Sequence, residues 1–437
     1  MNLKAWLALL EKRHPQAIDL GLQRCGRVYR RMQSPRPANM VYTVAGTNGK
    51  GSTVAYLAAM SGALGQRHGT YTSPHIFKFN ERIKIQGKSV SDQTITRAFE
   101  EVEAARGDIS LTYFEFTTLA GLLVLQQAEL DCAVLEVGLG GRLDTVNLVD
   151  ADCVVITPIG LDHQDFLGAD IASIAREKAG VLRKDVPVVC TQAEPPAELG
   201  EIARKLNAPV YVRGLDYDIS ACSEEGDQTL DFSMNNRQLT VSRPVMAGRH
   251  QLDNLAAALA AVLIMNPDAC DHAQQISASI SDCAVAGRLQ RVCSVPEILL
   301  DVGHNELAAE AIADYLLESG KTNISCVLAM LKDKSAEAVA LALGGVCKRW
   351  FCTSSSGARA QSGEMLARRV SSALPDADVG YFESMAESLQ MAVSKARVDD
   401  TILVFGSFTT VSAAADWLKT GHGHEVLDAA KLTLNDD

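Results

Sequence analysis

Short apolar runs punctuate the first half of the chain at residues 40–45, 132–137, 154–157 and 186–190, each followed by glycine, proline or threonine. Runs of this length, largely apolar and rich in valine, predict strands buried on both faces of a parallel sheet. From residue 298 the rhythm becomes regular, with strand-like runs at 298–301, 324–330, 350–353, 379–382 and 401–405, each ahead of a stretch with helical spacing. Strands that alternate with helices predict parallel βαβ units, here a compact doubly wound domain of about 140 residues. Residues 217–241 alternate instead in short polar segments, which predicts a hairpin appendage. Helical patterns at 254–265 and 273–283 lead to a domain boundary within 284–296.

The first strand runs into the most informative stretch of the chain, Val41-Tyr-Thr-Val-Ala-Gly-Thr-Asn-Gly-Lys-Gly-Ser-Thr-Val54. Gly46, Gly49 and Gly51 let backbone N–H groups face an anion around Thr47 and Asn48, and Lys50 adds a point charge suited to the β- and γ-phosphates of a nucleotide. Ser52 and Thr53 offer hydroxyls to Mg²⁺ or to the first turn of an amphipathic helix at 54–64. The loop is a shortened P-loop, since Val44 stands where the first glycine is expected and Gly51 directly follows the lysine. At 437 residues the chain exceeds one core, and two domains are expected. The fold class is α/β, with an N-terminal P-loop ATPase domain of mostly parallel sheet over residues 1–285 and a smaller C-terminal Rossmann-like α/β domain over 286–437.

Composition narrows the partners. A balance of 41 basic against 53 acidic residues, net −12, argues against a sequence-independent grip on nucleic acid or an anionic membrane, both of which require basic surface. The 11 cysteines include no Cys-x-x-Cys pair and read as small apolar core residues. The N-terminus carries no long apolar segment ending in a cleavage site, and nowhere do 18 apolar residues run together, which predicts a cytoplasmic protein with reduced thiols. The Gly421-His-Gly-His424 tail reads as a frayed terminus rather than a metal site.

Several side chains fall where an α/β sheet binds ligands, beyond the carboxyl ends of its strands. Glu136 closes the run at 132–137 and precedes three glycines, a position suited to Mg²⁺, which takes oxygen ligands. Asp162 and His163 follow the next strand, and Ser73 follows a short strand at 69–71. Lys178 shares a helical face with Ile171, Ile174, Ala175, Ala179 and Leu182, so it lies on an apolar stripe. Burial lowers a lysine pKa, and a neutral amine reacts with CO₂ to give a carbamate; a lysine that snorkels to solvent is the alternative. Asn254, at the opening of its helix, with Arg288, Asp301 and His304 at the start of the second domain, are candidate nucleotide contacts that would close on ATP held by the first.

In order along the chain, Gly46-Thr-Asn-Gly-Lys-Gly-Ser52, Thr72-Ser-Pro-His75, Leu135-Glu-Val-Gly-Leu-Gly-Gly-Arg142, Leu161-Asp-His163, Arg176-Glu-Lys-Ala-Gly180 and Asp301-Val-Gly-His-Asn305 resemble folylpolyglutamate synthase, the folate branch of the Mur ligase superfamily. The resemblance spans about residues 15–418, and the segment 108–116 resembles the bifunctional enzymes that also act as dihydrofolate synthase. It implies an ATP-dependent acid-amino-acid ligase that forms an acyl phosphate and lets the amine of L-glutamate displace phosphate. Two Mg²⁺ sites are implied, with Ser73, Glu136 and His163 as ligands and Lys50, His163 and Lys178 in catalytic roles, Lys178 as N6-carboxylysine. It further implies ATP contacts from residues 46–53, Asn254, Arg288, Asp301 and His304, a pteroate pocket with Thr112, Phe114 and Asp144, and a glutamate contact at Ser407. The implied partners are ATP, L-glutamate, dihydropteroate and reduced folates, with the chain a monomer. Thr145 stands where alanine is common and bears on pterin binding; Gly303 replaces the usual alanine of its motif and is expected to be silent. The competing readings are a nucleotide-gated switch, whose ATP turnover no amino acid would stimulate, and a cell-wall ligase, which the 108–116 segment disfavours.

Overall fold

The computed structural model describes residues 1–14, 16, 18–33, 36–222, 228–357 and 359–419, so the Gly421–His424 segment lies outside the described residues. The chain divides into two compact units, one comprising Met1–Pro244 and Leu252–Cys283, the other Val245–Gln251 and the chain from Ala284.

The first unit is built on an eight-stranded sheet formed by β1 (Ala38–Ala45), β2 (His68–Tyr71), β3 (Ile83–Ile85), β4 (Lys88–Ser89), β5 (Leu130–Glu136), β6 (Cys153–Ile156), β7 (Val188–Cys190) and β8 (Val210–Val212). Its order is β4-β3-β2-β5-β1-β6-β7-β8, parallel from β2 to β8, with β3 and β4 antiparallel at one edge. The run Val41-Tyr-Thr-Val-Ala45 becomes the central strand because both of its faces are covered. Val41, Tyr42, Val44 and Ala45 are all fully buried, each large side chain contributing about 1.5–3 kcal/mol. The registers Val44↔Glu136 and Ala45↔Ile156 bring the ends of β1, β5 and β6 level with one another. The glycine loop, Glu136 and the Asp162–His163 segment lie at or after those three ends.

Three expectations change in detail. The helix after the glycine loop is Lys50–Ala63, beginning earlier than its apolar spacing shows, and it is buried on most sides because it packs on β1, β2 and β5 and against the helix Ala273–Ser281. The hairpin appendage is a three-stranded antiparallel meander of β9 (Tyr217–Ala221), β10 (Thr229–Met234) and β11 (Arg237–Ser242). Asn254 does not open a helix but sits inside Arg249–Met265, whose first turn is the polar Arg249-His-Gln-Leu-Asp253.

The second unit carries β12 (Gln290–Ser294), β13 (Glu297–Asp301), β14 (Ile324–Leu328), β15 (Cys347–Thr353), β16 (Asp378–Phe382) and β17 (Thr401–Phe405) in the order β12-β13-β17-β14-β15-β16. β13 through β16 are parallel, as the βαβ rhythm requires, and β12 adds an antiparallel edge. All cysteines except Cys222 and Cys270 are buried, in keeping with their expected place in the core. No helix of the described residues is long and apolar enough to cross a membrane.

Candidate active site

The glycine loop leaves β1 at Gly46, whose open side lies hard against Thr157 at the end of β6. A Cβ on Gly46 would lie 1.8 Å from Thr157 Oγ1, so no other residue fits. Thr47 is fastened to the loop after β6, its N–H on Pro158 O at 2.8 Å and its hydroxyl paired with Gly160 at 3.1 Å. Gly49, with φ 85°, turns the chain into the helix Lys50–Ala63, which has no side-chain N-cap. An uncapped helix N-terminus preceded by a glycine turn presents backbone N–H groups to an anion. Asn254 stands over this turn: a Cβ on Gly49 would lie 2.4 Å from Asn254 Oδ1.

The two hydroxyls after Gly51 separate by role. Thr53 Oγ1 donates to Gly49 O at 3.0 Å within the helix. Ser52 Oγ is fully buried and has no hydrogen-bond partner. Lys50 folds back, its Nζ donating to Gly46 O at 3.2 Å and Thr47 O at 3.0 Å. A buried orphan hydroxyl beside a lysine at the loop is a donor set that fits a phosphate with its divalent cation.

Glu136 ends β5 and is 6% exposed; it accepts the Ser73 N–H at 3.2 Å, so the carboxylate and the Ser73 segment meet in this structure. Lys178, in the helix Ile171–Ala179, is 4% exposed, and its Nζ donates to Gly46 O at 2.6 Å. The buried alternative therefore holds over the snorkelling one. Its amine is pushed down to about 7, chiefly by burial and then by the Lys50 charge, against which Asp162 and Asp144 act. The stripe that located Lys178 is imperfect: Ile171 is exposed and Leu182 lies past the helix end. His163 adopts φ 51°, sparse for a non-glycine residue, with its Nε2 3.9 Å from Asp162 Oδ2.

Thr112 and Asp144 turn out to be helix caps. Thr112 Oγ1 accepts the Glu115 N–H at 3.1 Å while Glu115 accepts the Thr112 N–H at 2.8 Å, a capping box legible as Thr-x-x-Glu. Asp144, 2% exposed, accepts N–H groups from Leu139 at 2.8 Å and Val146 at 2.9 Å. Burial raises its carboxyl to about 6 despite those bonds. Phe114 and Asp144 flank the same glycine, since a Cβ on Gly138 would lie 2.4 Å from the Phe114 ring and 3.3 Å from Asp144 Oδ2. Thr145 is buried, its hydroxyl against the Cys25 thiol. Among the described residues no three His, Cys, Asp or Glu side chains gather around a metal position, so a cation at Glu136 or His163 would complete its shell with hydroxyls and phosphate oxygens.

In the second unit Asp301, 6% exposed at the end of β13, accepts N–H groups from Gly303 at 2.7 Å and Leu289 at 2.9 Å. His304 Nδ1 lies 3.0 Å from Val302 O. Arg288 places its guanidinium 5.7 Å from the Phe408 ring, with its Nε buried and unpartnered. Ser407 accepts the Thr410 N–H at 3.0 Å at the start of the helix Phe408–Lys419 and pairs with the Thr410 hydroxyl at 2.6 Å.

Residues 44–262 match the Mur ligase middle domain, and residues 287–408 match the Mur ligase, glutamate ligase domain. The chain is 37% identical over 430 residues to the dihydrofolate synthase/folylpolyglutamate synthase of Escherichia coli K12, covering 98% of this chain and 96% of that one. To the protein of the same name from Mycobacterium tuberculosis H37Rv it is 30% identical, covering 93% and 92%. The solved structure of E. coli FolC in complex with DHPP and ADP superposes with a TM-score of 0.89 at 36% identity, over 96% of this chain and 98% of that one. The bifunctional folylpolyglutamate synthase/dihydrofolate synthase of Yersinia pestis, complexed with AMPPNP and Mn, gives 0.88 at 37% identity with the same coverage. With both Mur ligase domains matched in order and near-full-length identity to these enzymes, the chain belongs to the dihydrofolate synthase/folylpolyglutamate synthase family of Mur ligases.

Proposed function

We propose that this protein uses ATP to join L-glutamate to dihydropteroate, giving dihydrofolate, and to tetrahydrofolate, giving folylpolyglutamates. The acceptor carboxylate attacks the γ-phosphate, forming an acyl phosphate and ADP; the glutamate amine then attacks the acyl carbon, and phosphate leaves as the amide forms. The observation that carries this reading is the meeting of the uncapped glycine loop, the orphan Ser52 hydroxyl and Glu136 at the level ends of β1 and β5. Support comes also from relatives solved with Mn, AMPPNP and L-glutamate.

In this reading the loop 46–53 and Lys50 bind the transferring phosphate and hold its charge. Mg²⁺ would be held at two sites, by Ser73 and Glu136 and by His163, where it would neutralise developing charge on the phosphate oxygens. Asn254, Arg288, Asp301 and His304 are proposed as ATP contacts, Thr112, Phe114 and Asp144 as the pteroate pocket, and Ser407 as a glutamate contact. Lys178, with its depressed pKa, is suited to carbamylation as N6-carboxylysine. A cytoplasmic monomer is proposed, consistent with small soluble substrates.

The test is phosphate release with Mg-ATP and L-glutamate, offering dihydropteroate or tetrahydrofolate, with product masses read in parallel. A gain of one glutamate on both acceptors is the expected result. Gain on tetrahydrofolate alone removes the pteroate assignment, and ATP hydrolysis independent of acceptor removes the ligase.

A further inference from the structure

Arg213 directly follows β8, in a turn of the first unit that is fastened at several points. Its N–H donates to Cys190 O at 3.3 Å, and the N–H groups of Gly214 and Asp216 donate to Tyr217 O at 2.8 Å and Val212 O at 2.9 Å. The buried Tyr217 hydroxyl donates to Cys190 O at 2.7 Å. The side chain is held as firmly as the backbone. Its Nε donates to Asp218 Oδ1 at 2.9 Å, at the start of the meander, and its Nη1 pairs with Asp253 Oδ1 on the helix Arg249–Met265. That side chain is 16% exposed, and two carboxylates on two of its nitrogens fix the plane of the guanidinium.

The next residue after Asp253 is Asn254, whose Oδ1 would lie 2.4 Å from a Cβ on Gly49. The first unit's share of this helix begins at Leu252. From Leu255 to Leu263 every residue is buried, so packing holds that stretch. Leu252 and Asp253 are only partly buried, and there the ion pair supplies the fixed point that packing does not. A carboxamide that stands over the turn into an uncapped helix must keep its place to within a fraction of an ångström, since it lies where a phosphate would meet the loop N–H groups.

We propose that Arg213 is a positioning residue for the nucleotide: through Asp253 it holds Asn254 over the glycine loop. The inference rests on the reading of Asn254 as an ATP contact. A preset carboxamide spares the ordering cost that the nucleotide would otherwise meet on binding. The competing role is a staple between the meander and the helix, which would serve stability alone. Asp218 separates the two, because its removal loosens the meander side and leaves the pair with Asp253 in place.

The experiment measures equilibrium binding of Mg-ADP to the full chain, with urea denaturation alongside, for wild type, Arg213→Met, Arg213→Lys, Asp253→Asn, Asp218→Asn, Asn254→Ala and Arg213→Met/Asn254→Ala. Arg213→Met and Asp253→Asn should each weaken Mg-ADP by about 3–30-fold and raise the KM for ATP in step, while the KM for L-glutamate stays fixed. Arg213→Lys should recover part of the loss, and Asp218→Asn should stay within about 2-fold of wild type. In the Asn254→Ala background Arg213→Met should cost no further affinity, because the route to the nucleotide is already gone. A lower urea midpoint with unchanged Mg-ADP affinity would make Arg213 a staple and overturn the proposal. An undiminished further loss in the Asn254→Ala background would overturn it too, by showing that Arg213 acts through another route. Should Arg213→Met not fold by circular dichroism, Asp253→Asn, alone and with Asn254→Ala, decides by the same criteria, since it breaks the pair from its more exposed side. Mg-ADP binding that Asn254→Ala leaves intact removes the Asn254 contact and this inference with it. Binding that Asn254→Ala weakens but that is indifferent to Arg213 and Asp253 removes only this inference.

Discussion

The Nζ of Lys178 donates to the carbonyl oxygen of Gly46 at 2.6 Å, and the Nζ of Lys50 reaches the same oxygen at 3.2 Å. Two lysines thus share one acceptor at the mouth of the glycine loop, and one of them is deeply buried. The arrangement holds a cost in the fold for the sake of the site, a pattern expected where function and stability compete.

That cost sets a pH dependence. The Lys178 amine is near 7 in the folded chain, against 10.5 for its ordinary value. Between those values the unfolded chain binds the extra proton, so stability rises with pH across that window, and below about 7 the penalty is fully present. Lys178→Met, in CO₂-free buffer, should stabilise the fold at pH 6 by on the order of 1–4 kcal/mol. The gain should shrink as pH rises toward 10, while glutamate ligation falls about 10–100-fold or more. Urea midpoints at pH 6 and pH 9 check it, and a variant that is destabilised at both refutes the buried-charge account.

Gly49 is the second pressure point. Its φ of 85° and the 2.4 Å approach of Asn254 Oδ1 to a built Cβ predict two separable penalties for Gly49→Ala. The variant should lose about 1–3 kcal/mol from backbone strain alone and more from the clash. In Gly49→Ala/Asn254→Ala the clash disappears and only the strain remains, so the pair should couple by about 0.5–3 kcal/mol. Additive losses in a denaturation cycle would mean that Asn254 does not stand over the loop.

What could be read from the residues follows from how local each signal is. The inner parallel strands of both sheets and the glycine loop were legible because valine-rich runs and glycine turns act over a few neighbours, whereas β3, β4, β8 and β12 were not. Glu136 was legible because it ends a run, and Lys178 because it interrupts an apolar stripe. Thr157 against Gly46, and Asn254 over Gly49, were not, since each contact joins segments that only the closed sheet brings together. Arg213 was missed for the same reason: in Val212-Arg-Gly-Leu-Asp216 it reads as a solvated charge, and only the fold brings Asp253 to it. The box Thr112-Tyr-Phe-Glu115 carried a local signal that was read only as part of a substrate pocket.

Gly303 was expected to be a silent departure from alanine, and its packing makes the reverse change, back to alanine in this chain, a separate question of stability. A Cβ there would lie 2.5 Å from the Phe405 ring, 2.8 Å from Ala308 Cβ and 2.9 Å from Asp301 Oδ1. Gly303→Ala should therefore destabilise the fold by about 1–3 kcal/mol through overpacking, and Phe405→Leu in the same chain should recover part of the loss. Thermal melts of the single and double variants decide it; an unchanged melt for Gly303→Ala would return the position to neutrality.

Thr112 allows a structural role to be separated from a binding one. Its hydroxyl caps the helix Tyr113–Gln127, and Glu115, which returns the bond to the Thr112 N–H, also pairs with Arg24 at 3.0 Å. Thr112→Val should cost about 0.5–2 kcal/mol, because it leaves one helix N–H without its acceptor in a buried setting. Thr112→Ser keeps the acceptor and should lose little stability. If the residue acts only as a cap, dihydropteroate KM will be unchanged in Thr112→Ser and will change in Thr112→Val only as far as the folded fraction falls. If it also contacts the pteroate, the missing methyl of Thr112→Ser should raise that KM at unchanged stability, whereas the KM for ATP stays fixed in both variants. Steady-state kinetics beside urea denaturation on the same preparations therefore tells a cap from a contact, and a shared rise in both KM values would show that the substitution disturbs the loop ends as a whole.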